Sequence, residues 1–121
     1  MTIELPAVQR PFLYGGRTIA EWLPTIVERV AAAYAPERII LFGSLARGDA
    51  GPDSDIDLLV EFDQPVDKHA TAVGLRGAIE DVPAPVDFLV TDTDEVRQRG
   101  TLPGLALSAA LREGTVVYRR A

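Results

Sequence analysis

Asp55 and Asp57 open an apolar run, Asp-Ile-Asp-Leu-Leu-Val-Glu-Phe, at residues 55–62. In an extended strand, residues two apart point to the same face, so the run sets two carboxylates side by side at one end of a core segment. At an effective dielectric of about 20, like charges about 4 Å apart repel by roughly 4 kcal/mol. A cation relieves that repulsion, and hard divalent ions such as Mg²⁺ take carboxylate oxygens together with substrate phosphates. Asp87 adds a third acid inside Val86-Asp87-Phe88-Leu89-Val90, a segment that otherwise reads as core. If its strand neighbours that of Asp55 and Asp57, the three acids form one metal site. Upstream, Gly43-Ser44 follows the apolar run Ile39-Ile40-Leu41-Phe42. A glycine there lets backbone approach a ligand closely, and a following helix start offers N–H groups to an anion. Taken alone, Gly-Ser is an ordinary strand-to-helix turn.

The elements that must hold these residues follow from pattern and punctuation. Residues 1–17 contain Pro6, Pro11, Gly15 and Gly16 and read as an arm packed through Phe12, Leu13 and Tyr14. Thr18 and Glu21 fit a capping box, while Pro24 fits a first helical turn. The two signals conflict for one straight helix. The expectation is a short turn, then a helix over 24–34 with Ile26, Val27, Val30, Ala31 and Tyr34 as its apolar stripe. Residues 38–42 read as a strand covered on both faces. Ser44 is expected to cap a short helix through Arg47, followed by a loop over 48–54 and a strand over 55–62. A helix over 64–80 would turn Val73, Ile79 and Leu75 inward, ahead of a strand over 85–91. Residues 91–93 cap a helix to Arg99, Pro103 opens a last helix to 112, and 115–118 form an edge strand. This order predicts an α+β domain over 18–121, a small mixed sheet with helices packed mainly on one face.

Composition narrows the function. The 121 residues are 47% hydrophobic and 25% charged, as in an ordinary globular domain. A formal charge of −6 argues against direct nucleic-acid binding, which needs a basic face. Absence of cysteine removes disulfides and thiolate metal sites from consideration. No signal-peptide pattern and no membrane-spanning run is visible, so a cytoplasmic protein without a membrane partner is expected.

The run Gly-Ser-Leu-Ala-Arg-Gly-Asp-Ala-Gly-Pro-Asp-Ser-Asp-Ile-Asp-Leu-Leu-Val, with ten residues between Ser44 and Asp55, resembles the signature of the DNA polymerase β-like nucleotidyltransferases. It resembles in particular their smallest members, the MNT-type proteins encoded beside HEPN-domain toxins, over about residues 25–118. The resemblance implies that Gly43 and Ser44 hold the triphosphate of ATP, that Asp55 and Asp57 bind two Mg²⁺, and that Asp87 completes the triad. Leu45 stands where many relatives have a polar or basic residue, which leaves Arg47 as the basic contact. The implied reaction moves AMP to a hydroxyl, a tyrosine of a partner HEPN toxin, and makes this chain the antitoxin. Length fits, since larger relatives add domains for the acceptor. Two alternatives stand beside it: a module that neutralises such a toxin by masking it, and a transferase acting on an antibiotic or sugar hydroxyl.

Other residues read as ordinary. His69 is expected at the surface, Asp49 and Asp53 as loop acids, and Trp22 and Tyr34 as packing residues. Asp92, Asp94 and Glu95 suit a helix N-terminus, where the dipole favours acids. Arg119 and Arg120 form a basic run too short to be a binding patch.

Overall fold

The computed structural model describes residues 12–51 and 54–121. Its elements are α1 (Ile19–Tyr34), β1 (Arg38–Phe42), α2 (Gly43–Arg47), β2 (Ile56–Phe62), α3 (Lys68–Ala78), β3 (Val86–Asp92), α4 (Thr93–Arg99), α5 (Ala106–Glu113) and β4 (Thr115–Arg119). The strands form one sheet in the order β3-β2-β1-β4. β1 pairs antiparallel with both β2 and β4, whereas β2 and β3 run parallel. A parallel pair needs a crossover, and α3 supplies it.

Both faces of the central strands are covered, which is why β1 and β2 carry unbroken apolar runs. Ile39 and Leu41 of β1 and Ile56, Leu58, Val60 and Phe62 of β2 meet Ile26 and Val30 of α1 and Leu75 of α3. On the reverse face, Ile40 and Leu59 pack against Leu107 and Ala110 of α5, with Val96 of α4 beside them. The α+β class with a small mixed sheet is as expected, with the larger core under α1 and α3. Alternation along β2 then puts Asp57 on the α5 side. Among the described residues, no helix is long and apolar enough to cross a membrane.

Local chemistry corrects several boundaries. The Thr18–Glu21 capping box is complete and α1 starts at Ile19, with Pro24 inside it. The expected start at Pro24 is therefore corrected: the proline lies in the second turn, where it forfeits one backbone bond near an N-terminus that the box has already secured. Tyr14 packs on the core and its carbonyl accepts from Trp22 Nε1 at 2.6 Å, but Phe12 and Leu13 stay exposed. Residues 1–11 of the expected arm lie outside the described residues. The third helix begins later than expected because the Asp67 side chain accepts from the Ala70 N–H and caps it there. Leu75 is then buried and Val73 is 58% exposed. Helical residues two apart cannot share a face, so only one of them could point inward. Pro103 precedes α5 instead of opening it. Ser108 Oγ lies 2.5 Å from the Leu102 carbonyl and 2.9 Å from the Leu105 carbonyl, and its one proton, shared between them, holds the turn ahead of the helix.

Gly114 joins α5 to β4, and an added methyl there would meet the Ala110 carbonyl, the Ile40 side chain and, at 2.9 Å, the Leu41 carbonyl. Two of those neighbours are backbone and cannot swing aside. Gly114→Ala is expected to cost about 1–3 kcal/mol, as overpacking does, read as a lower urea midpoint at unchanged slope.

Candidate active site

β1 ends at Phe42, whose partner across the ladder is Asp57. The chain then turns at Gly43, with φ of 75°, a conformation side chains other than glycine rarely adopt. A Cβ at Gly43 would also run into the carboxylate of Asp57, lying 3.1 Å from its Cγ and closer still to Oδ2. The glycine is thus fixed twice, by its own backbone and by the acid it faces. α2 follows at once. Its N-cap is Phe42, with no side-chain cap, and Ser44 sits within the helix instead of capping it as expected. The reason is the turn itself: extended Phe42 followed by Gly43 already starts the helix two residues earlier.

The acids come together through strand register. β2 and β3 pair with Asp57 opposite Asp87, while Asp55 lies two residues before Asp57 on the same side of the chain. Their proximity is felt in protonation. Burial, then the charges of Asp87 and Asp55, raises the Asp57 carboxyl above the ordinary carboxylate range, and Arg47 opposes the rise. Asp55 is raised by burial, by the charge of Asp87 and by a hydrogen bond with Asp87. Hard oxygen donors crowded enough to resist ionisation are what a divalent cation would relieve, so the donor set fits Mg²⁺. As the side chains stand, no three acids among the described residues are already closed into a metal cluster.

Asp87 is not the inward acid that the sequence suggests. β3 is an edge strand, and the Asp87 side chain is 60% exposed. Apolar cover on this face reaches Leu89 but stops short of Asp87. What brings Asp87 to the other acids is register, not burial.

Two arginines border the group. Arg47 closes α2, with Nε 3.3 Å from Asp49 and Nη1 3.7 Å from Glu113, and its charge reaches Asp57. Arg76 of α3 had no signal in the sequence. It reaches the free edge of β3, donating Nη1 to the Val86 carbonyl at 3.3 Å and Nη2 to Asp87 Oδ1 at 3.5 Å. Only the crossover packing of α3 places it there, so spacing could not have revealed it. His69 is exposed on α3, and Asp53 lies outside the described residues. Trp22 and Tyr34 pack against the main core, as expected. Asp92 caps α4 by accepting from the Glu95 N–H. Arg120 is tied down, to the Ala35 carbonyl, Glu37 and Asp63.

Residues 23–106 match the family model described as a nucleotidyltransferase domain, a span that includes Gly43, Ser44 and all three acids. A crystal structure from Sulfolobus solfataricus, provisionally described as a nucleotidyltransferase, aligns with a TM-score of 0.56. It is 24% identical over 83% of this chain and 79% of its own, a likeness of fold alone. Among curated proteins, no sequence matches the chain.

Proposed function

The chain belongs to the nucleotidyltransferase domain family, and from that premise we propose that it moves AMP from ATP onto a hydroxyl of a partner protein. Domains of this family generally use a nucleoside triphosphate and a divalent metal. The observation that carries the reading is the pairing of Asp57 with Asp87, next to Asp55 and against Gly43.

Each residue has a role in that chemistry. Gly43 lets the backbone come close to the triphosphate, and Ser44 with the uncapped start of α2 donates hydrogen bonds to its oxygens. Asp55, Asp57 and Asp87 would hold two Mg²⁺. Ions held there would supply charge neutralisation for the attacking and leaving oxygens. Asp87 accepts the hydrogen bond, and then the proton, of the acceptor hydroxyl. The acceptor oxygen bonds to the α-phosphorus as the bond to pyrophosphate breaks. Arg47 contributes positive charge beside Asp57.

Exposure favours a macromolecular acceptor. Asp87 stands on an edge strand with most of its side chain in solvent, where a residue on another protein can reach it. Resemblance to MNT-type proteins names that partner as a HEPN-domain toxin, its acceptor as a tyrosine, and this chain as the antitoxin. The test is intact mass of a co-expressed HEPN partner after incubation with the chain, ATP and Mg²⁺. The expected result is a gain of one or more AMP units on the partner. Unchanged partner mass with full protection from toxicity contradicts the enzyme and leaves masking as the account. Labelled AMP on small hydroxyl compounds, with none on the protein, contradicts the protein acceptor.

A further inference from the structure

Arg76 is held at two points of unlike character. Its contact with the Val86 carbonyl is to backbone on the open side of β3: the neighbouring Pro85 carbonyl points the other way and accepts from the Ile56 N–H of β2. That anchor depends only on the sheet edge. Its second contact, at 3.5 Å, is to Asp87 Oδ1, one of the oxygens the proposed metal site draws on. Among the described residues, Asp87 is the only carboxylate paired with Arg76. Arg47, by contrast, is engaged by Asp49 and Glu113, which lie outside the acidic triad.

We propose that Arg76 is a resident counter-cation of the acidic site, a positioning residue that holds Asp87 and yields it when a divalent cation binds. This inference rests on the reading of the three aspartates as a metal site. A guanidinium and a divalent cation that draw on one carboxylate compete for it, and like charge near the site weakens cation binding further. The Val86 carbonyl keeps Arg76 in place after it gives up Asp87, so the exchange needs no movement of α3. Each arginine meets a different acid of the group: Arg76 pairs with the exposed Asp87 of the edge strand, and the charge of Arg47 acts on Asp57.

The competition gives a signature that a purely structural role does not. Mn²⁺ binding to the full chain is titrated by the loss of the free-ion EPR signal, alongside melting temperatures with and without saturating Mn²⁺. Arg76→Gln is expected to bind Mn²⁺ about threefold to tenfold tighter than wild type, a modest factor because the pair is exposed and screened. Its melting temperature should fall without metal, and the rise on adding Mn²⁺ should exceed that of wild type. Arg76→Lys, which keeps the charge, should lie between the two. Unchanged affinity, with an equal loss of stability in both conditions, would overturn the proposal and leave Arg76 as an edge cap. Weaker binding in Arg76→Gln would overturn it as well, since Arg76 would then support the metal instead of competing with it. Failure of wild type itself to bind Mn²⁺ strikes at the metal site beneath the inference, and is distinguishable from both.

Discussion

Asp55→Asn combined with Asp57→Asn is expected to lower nucleotidyl transfer by about a thousandfold or more, a loss of the size seen when transition-state charge stabilisation is removed. The same variant should melt higher than wild type in the absence of divalent ions. The sign follows from linkage. Burial and neighbouring charge raise both carboxyls above the ordinary range in the folded state. The fold therefore holds their protons more tightly than the unfolded chain does. Stability is greatest where both groups are protonated and declines as pH rises through the ordinary carboxylate range to the raised folded values. Above that range the ionised acids carry the penalty, and an amide removes it. Activity lost while stability is gained separates a functional acid from a structural one. Rates from pyrophosphate release and melting curves in chelator, on one preparation, check both halves.

Gly43→Ala is expected to do the opposite to stability and also to harm activity. At φ of 75° a non-glycine residue is strained by about 1–2 kcal/mol. The new methyl would also press on the Asp57 carboxylate. Asp57 has to turn away or the β1–α2 turn has to shift, and either change spoils the meeting of phosphate cradle and acids. We expect a total loss of about 2–4 kcal/mol in urea-unfolding free energy and transfer at least about a hundredfold slower. A variant with wild-type stability and activity would mean that the close approach of Gly43 to Asp57 is unimportant.

How much of this was readable beforehand depends on the range of the interaction. β1 and β2 were legible because both faces are buried and their apolar runs are continuous. Gly43, Asp55 and Asp57 stood out because their meaning is local, a turn and a two-residue spacing. Asp87 shows the limit of such local reading. A charge in an apolar run suggested an inward acid, whereas it lies at the exposed start of an edge strand and meets Asp57 through parallel register. Register between strands joined by a crossover is not encoded in either strand alone. Arg76 was invisible for the same reason, because its partners are set by how α3 lies across β3. Of the rival helix starts, the Thr18–Glu21 box is the true one, whereas Pro24 lies inside the helix and not in its first turn.

The most direct test of the central claim needs no knowledge of the acceptor. The wild-type chain is titrated with Mn²⁺ in the presence and absence of a non-hydrolysable ATP analogue, and bound ion is counted by EPR. Mn²⁺ binding is expected to tighten when the nucleotide is present and to be lost in the chain carrying Asp55→Asn and Asp57→Asn. Equal Mn²⁺ binding by wild type and that variant, or no binding by either, would contradict that claim.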